Sequence, residues 1–310
     1  YYQAKKILFE RHLKDNAVAV ITEQESKAAD TDWGGRLLQE LMATGEFEAF
    51  QKARTADRKS ILSCGPVAAM FHLEKAVTAI DGTEGELITP VGGIHLKSPL
   101  VGDFNIENLL GAAGVGAALG LSLEKIAEGL AQTATVPGRL ERITVKNGGW
   151  DRPEVFVDYA HTPDALENVL QTLRGLQPDR LIVVFGCGGD RDRGKRPLMG
   201  AVAAARADVA IVTSDNPRSE PPQQILEDIE KGMAKRARMR AEILLKGQWR
   251  GYDVISSRRE AIRVAIQYAR KGDIVLISGK GHEDYQIIGN QRIHFDDRLQ
   301  ARRQLLAVAR

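Results

Sequence analysis

Neither acid nor base predominates in this 310-residue chain: 43 Lys and Arg against 41 Asp and Glu leave a formal charge of +2. So small an excess gives no electrostatic argument for a nucleic-acid partner. The basic residues are scattered except at 235–240, Lys-Arg-Ala-Arg-Met-Arg, which reads as a solvated helix face. Cysteine is scarce. Cys64 and Cys187 lie far apart and suggest neither a disulfide framework nor a zinc site. No apolar run reaches the 18 or more residues that a membrane span needs, and no signal peptide opens the chain, so a cytoplasmic location is the expectation. There is no G-x-S-x-G and no convincing Cys–His pair to support a hydrolytic nucleophile. There is no G-x-G-x-x-G after the first strand, which removes a nicotinamide dehydrogenase. An initiator Met is missing too. The chain opens on Tyr1-Tyr2, and the expectation is an incomplete chain.

What is present fits a soluble enzyme. Hydrophobic residues make up 43% and charged residues 27%, and the length suits about two domains. A helical pattern over residues 1–18 runs into an apolar strand at 17–21. A polar loop at 22–32 has no counterpart we can name, and a helix follows at 35–42. Short runs at 61–63, 86–89 and 93–96, separated by Gly-rich turns, predict antiparallel strands. Residues 102–108 lead to a small-residue helix at 109–119 and a shorter one at 123–132. After a turn-rich hinge at 135–141 the texture changes. Strands at 155–157, 181–185, 209–213 and 274–277 alternate with helices at 164–174, 197–206, 221–235 and 258–270. That alternation predicts an α/β, mostly parallel, doubly wound sheet, with the domain boundary near 137–140.

Chemistry-bearing motifs sit where these strands end. Asp158-Tyr-Ala-His161 follows the first, Gly186-Cys-Gly-Gly-Asp-Arg191 the second, Asp215-Asn216-Pro-Arg218 the third and Gly279-Lys-Gly-His-Glu283 the fourth. In an open α/β sheet, ligands bind beyond the carboxyl ends of the strands. Four strands delivering Gly, Asp, Arg and Glu there describe a binding crevice. The fork of Arg218 suits a carboxylate held by two parallel hydrogen bonds. Residues 189–195 spell G-x-x-x-x-G-K, yet Arg196 stands where a P-loop needs Ser or Thr, and Asp190 and Asp192 would repel phosphate. The glycines there are expected to form a tight turn that presents Arg191. His161 and His282 lack the spacing and the partners of a zinc site.

These motifs, in this order, resemble the Mur ligases, ATP-dependent amino-acid-adding enzymes of peptidoglycan synthesis. The similarity runs over nearly the whole chain and is most specific from Gly102 to Arg298. Asp-Asn-Pro-Arg matches the branch that adds meso-diaminopimelate to UDP-N-acetylmuramoyl-L-alanyl-D-glutamate; lysine-adding relatives differ at its last position. The resemblance implies part of a central ATP-binding domain at residues 1–138, followed by a Rossmann-like amino-acid-binding domain at 139–310. It implies that Arg191, Asp215, Asn216 and Arg218 hold the far end of diaminopimelate, with Gly279 and Glu283 at its ammonium. Asn105 and Asn108 would read adenine, and Arg139 and Asp158 would meet the phosphates and ribose of ATP. Lys6, in a Tyr-x-x-x-Lys pattern, would be carbamylated and help place Mg2+, supported by His161, with no direct metal ligand in the chain; Lys5 competes with Lys6 for that role. A monomer is expected. The family's UDP-sugar domain and P-loop have no counterpart here, so this chain alone is expected not to ligate. Ser256-Ser257 stand near a point where relatives usually carry an acidic residue. A lysine-adding or polyglutamate-type ligase and a non-catalytic amino-acid-binding module stay open as alternatives.

Overall fold

The structure, a computed structural model, describes residues 2–24, 32–50, 59–65, 68–133, 135–145, 152–247 and 249–308. The chain divides into two compact units, Tyr1–Ala134 and Thr135–Arg310.

The first unit opens with α1 (Tyr2–Arg11), β1 (Val18–Thr22), α2 (Trp33–Ala43), β2 (Phe47–Ala49) and β3 (Lys59–Cys64). β3 lies between β1 and β2 and is parallel to both. The segment at 61–63, expected in an antiparallel pair, is therefore a parallel strand. Its last five residues are buried without alternation, as in a strand covered on both faces. An antiparallel meander follows, β4 (His72–Ala79), β5 (Gly82–Thr89) and β6 (Gly92–Ser98). α3 (Asp103–Ala118) and α4 (Leu123–Gln132) close the unit. α3 starts at Asp103, so the Asn-bearing segment is its first two turns and not a preceding loop. The small residues of α3 have a packing reason. A Cβ at Gly114 would stand 2.7 Å from Cys64 Sγ and 2.8 Å from a Leu62 methyl, so the helix comes as close to β3 as glycine permits.

The second unit contains β7 (Glu141–Arg142), β8 (Glu154–Asp158), α5 (Pro163–Gly175), β9 (Leu181–Phe185), α6 (Lys195–Arg206), β10 (Val209–Val212), α7 (Pro222–Glu230), α8 (Ala241–Gly247), β11 (Gly251–Val254), α9 (Arg258–Tyr268), β12 (Ile274–Ser278), β13 (Tyr285–Ile288), β14 (Gln291–His294) and α10 (Asp297–Val308). Its six-stranded sheet has the order β11-β10-β9-β12-β8-β7, parallel except for the edge strand β7. Alternate strand residues (Val155, Val157, Ile182, Val184, Val209, Ile211, Val275, Ile277) share one core with α8, α9 and α10. α5 lies against β9, and α6 and α7 against β10. Strands buried on both faces read as unbroken Val/Ile/Leu runs, which is why they are plain in the sequence.

The basic stretch 235–240 is not helical. It lies between a short 3-10 turn and α8. Arg236 donates to the Ala204 and Ala207 carbonyls at 2.6 and 3.4 Å, at the end of α6. Guanidinium groups there satisfy carbonyls that the helix leaves unpaired. No helix among the described residues is long and apolar enough to cross a membrane.

Candidate functional site

In the sheet order, β10, β9, β12 and β8 are contiguous. The four strands that end in the charged motifs are therefore neighbours. Register keeps their ends level: Val212 pairs with Phe185, Ile277 with Val184 and Ser278 with Asp158.

The Asp-Asn-Pro-Arg turn is fastened to the hairpin β13–β14. Arg218 N–H donates to the Ile287 carbonyl at 3.1 Å, and Gly289 N–H donates back to the Arg218 carbonyl at 2.8 Å. Arg218 takes a φ of +53°, a region that costs non-glycine residues energy and collects at functional sites. Its side chain is half-buried. Nη1 donates to the Gly189 carbonyl at 2.8 Å, and no carboxylate among the described residues pairs with it. A Cβ on Gly188 would stand 2.8 Å from Arg218 Nη1 and 3.7 Å from Arg191 Cγ. The glycine thus lets two arginines flank one backbone position. Arg191 itself is exposed, and its Nη1 donates to the neighbouring Asp190 carbonyl at 3.1 Å.

Beside the arginines lies the acidic part. Asn216 Nδ2 donates to Glu283 Oε2 at 3.0 Å. Asn216 Oδ1 accepts from Lys280 Nζ at 2.9 Å and from Ile287 N–H at 3.0 Å. Lys280, fully buried, also donates to the Tyr285 carbonyl at 2.7 Å. It stands 3.1 Å from Asp215 Oδ1 and 3.6 Å from Glu283 Oε2. The contact with Asp215 is one of charge only, since Oδ1 is buried without a hydrogen-bond donor. Gly279, at φ +119°, lies beside the same carboxylate: a Cβ there would be 3.6 Å from Asp215 Oδ2. The structure therefore brings Asp215, Asn216, Gly279 and Glu283 into one cluster, with Lys280 at its centre.

The G-x-x-x-x-G-K loop is a structural latch. Asp190, at φ +55°, accepts from the Ser219 hydroxyl at 2.7 Å and its N–H at 3.2 Å. Those bonds hold its carboxyl below the ordinary value. Arg196 is fully buried and donates to Glu220 at 2.8 and 3.0 Å and to Asp228 at 3.1 Å. Arg196 first, and then the Asp190 N–H, lower the Glu220 carboxyl to about 2. The residue that departs from a P-loop is thus the one that ties the turn to α7.

At the other end of the crevice, buried Asp158 accepts from the Leu140 and Ala160 N–H groups, both at 2.7 Å. Burial raises its carboxyl, and the two N–H groups oppose that. The exposed Arg139 guanidinium lies 4.8 Å from the Tyr159 ring centre. That ring is flanked by His161 at 4.6 Å and His282 at 5.4 Å. His161 Nδ1 is 2.8 Å from the Tyr159 carbonyl, and the His161 carbonyl accepts from Lys195 at 2.8 Å.

In the first unit, Asn105 and Asn108 lie one turn apart on α3. Asn105 is buried; its Nδ2 donates to the Val101 carbonyl at 2.8 Å, and its Oδ1 accepts from exposed Asn108 at 3.4 Å. Lys6 Nζ is 2.9 Å from both Glu10 and Glu40, and Tyr2 donates to Glu40 at 2.8 Å. Glu40 and then Glu10 raise the Lys6 amine well above its usual value. Carbamylation needs a neutral amine and adds negative charge, so it would require these ion pairs to open. The loop at 22–32 falls largely outside the described residues. Glu23 N–H donates to the Cys64 carbonyl at 2.8 Å, and Asp32 caps α2 through Gly35 N–H at 2.9 Å. No group of three His, Cys, Asp or Glu among the described residues is placed to hold a metal.

Residues 138–281 match the Mur ligase, glutamate ligase domain. The chain is 45% identical over 305 residues to the UDP-N-acetylmuramoyl-L-alanyl-D-glutamate–2,6-diaminopimelate ligase of Gloeobacter violaceus, covering 98% of this chain and 54% of that one. It is 49% identical over 234 residues to the enzyme of the same name from Geobacter metallireducens, covering 74% and 45%. A solved structure of a ligase of that name superposes with a TM-score of 0.63 at 34% identity, covering 99% of this chain and 56% of the other. The chain spans about half the length of the relatives it matches. Residues 138–281 thus belong to the Mur ligase family, and relatives from that family match almost the whole length of the chain.

Proposed function

We propose that this chain supplies the amino-acid pocket, and part of the nucleotide site, of an ATP-dependent ligase that joins meso-diaminopimelate to UDP-N-acetylmuramoyl-L-alanyl-D-glutamate. One observation carries the reading: Arg191 and Arg218 flank Gly188 at the mouth of the sheet, while Asp215, Asn216 and Glu283 gather in the loops beside them. An amino acid whose far end bears a carboxylate and an ammonium needs partners of both signs.

In the proposed reaction the γ-phosphoryl of ATP passes to a substrate carboxylate oxygen, giving an acyl phosphate and ADP. The amine of diaminopimelate attacks the acyl carbon, the tetrahedral intermediate expels phosphate, and the amine loses a proton as the amide forms. Arg218 and Arg191 would fix the far carboxylate, and Asp215 and Glu283 the far ammonium. The attacking amine is then presented in a set orientation, and positioning of this kind accounts for much of such catalysis. Asn105 and Asn108 are proposed to read adenine, and Arg139 and Asp158 to meet the phosphates and ribose, with His161 in support. Mg2+ offsets phosphate charge when bound.

Lysine lacks the far carboxylate. Calorimetry is expected to show diaminopimelate binding more tightly than lysine, and Arg218→Ala is expected to abolish most of that difference. Losing one partner of a desolvated charge pair costs about 2–5 kcal/mol. Equal affinity for the two amino acids, or an unchanged preference in Arg218→Ala, would remove diaminopimelate from this reading.

A further inference from the structure

Lys280 lies inside the Gly-Lys-Gly-His-Glu motif, has no exposure to solvent, and touches neither of the arginines that face the far carboxylate in the reading above. We propose that Lys280 is the positioning residue of the amino-acid pocket. It fixes the Asn216 amide and sets one cation between the Asp215 and Glu283 carboxylates, so that the far ammonium of the amino acid meets a preformed acidic seat. The inference rests on the pocket assignment made under Proposed function.

Three observations support it. The first is connectivity. The ammonium joins the turn after β10 (Asp215, Asn216), the loop after β12 (Glu283) and the start of β13 (the Tyr285 carbonyl). The second is orientation. An asparagine amide can sit either way round. Here two donors, Lys280 Nζ at 2.9 Å and Ile287 N–H at 3.0 Å, require oxygen on one side. Nδ2 must then face Glu283, which it meets at 3.0 Å. The third is charge. Asp215 and Glu283 carry two negative charges against one positive charge on Lys280. Arg258, a buried cation that also acts on Asp215 and Glu283 through space, is itself bonded to Asp297. One negative charge remains, the complement of a single ammonium. Without Lys280, two carboxylates would share a site with no cation between them, and their mutual repulsion would push them apart. Asp215 Oδ1, which no donor bonds, would lose the cation that stands 3.1 Å from it. Buried ions removed from their partners carry a large penalty.

The test compares Lys280→Gln and Lys280→Met with the unaltered protein, each expressed from its whole reading frame, at saturating ATP and UDP-linked dipeptide. Two substrates are used: meso-diaminopimelate, and L-2-aminopimelate, which keeps the reacting amine and the far carboxylate but lacks the far ammonium. The unaltered protein is expected to prefer diaminopimelate in kcat/KM by roughly a hundredfold. Both variants are expected to cut that preference by about tenfold or more, through the KM for diaminopimelate, while the KM for ATP stays within about twofold. A role confined to the fold would lower the unfolding midpoint and leave the preference intact. A preference kept within about twofold, or increased, therefore overturns the proposal. If the unaltered protein shows no preference, the pocket assignment itself fails, which is a separate result. Should both variants fail to fold, Asn216→Leu removes the amide that Lys280 orients and carries the same expectation; an unchanged preference there also overturns it.

Discussion

Arg258 and Asp297 have no solvent exposure, and two hydrogen bonds of 2.8 and 2.6 Å join them. A further N–H of Arg258 reaches the Ser278 carbonyl at 2.9 Å. The pair fastens α9 and α10 to the end of β12, directly ahead of Gly279. Arg258→Met should leave a buried carboxylate unpaired and destabilise the protein by about 3–5 kcal/mol. Arg258→Met with Asp297→Leu should recover most of that loss, because an apolar pair replaces an ionic one at little net cost. Urea unfolding of the three proteins checks both, and a double variant no more stable than the single one would contradict the account. Nothing local in the sequence separates buried Arg258 from its exposed neighbour Arg259. The same is true of Lys280 and Arg196. Their surroundings come from other strands, so the motif residues Arg218 and Glu283 could be singled out in the sequence while the cations behind them could not.

The loop after β9 and the turn after β10 are joined by Glu220, which accepts from Arg196 and from the Asp190 N–H. Its carboxyl is held at about 2, below the ordinary 4.5. A carboxylate whose folded value is depressed stabilises the fold above its unfolded value and loses that contribution as pH falls toward the folded one. The protein should therefore weaken between about pH 4.5 and 2. Glu220→Gln should be weaker than the unaltered protein at pH 7 and lose less on acidification. Urea midpoints at pH 7, 4 and 3 decide it; curves that fall in parallel would exclude Glu220 as a source of the acid sensitivity. Many elements were legible because their local chemistry is strong, as in the apolar β-branched runs of β9, β10 and β12. β3 was misassigned in orientation because a short apolar run ending at a glycine reads alike in parallel and antiparallel strands. The meander strand β4 and the hairpin β13–β14 mix polar and apolar residues without a sustained period-2 signal.

The unit Thr135–Arg310 has its own sheet and its own core of buried aliphatic residues, which is what an independently folding domain requires. Residues 135–310 expressed alone are expected to unfold in urea in one cooperative transition. A broad, non-cooperative profile would mean that the unit depends on the rest of the chain. The βαβ alternation, the shift in texture after the hinge and the identity of the four strand-end motifs follow from the order of residues, since periodicity and turn chemistry act over a few positions. What no local pattern encodes is that β12, the last long strand, inserts between β8 and β9. That choice depends on pairing across more than a hundred residues and on burying both faces of the sheet at once. It sets Gly279–Glu283 within reach of Asp215–Arg218, and it encloses Lys280 between them.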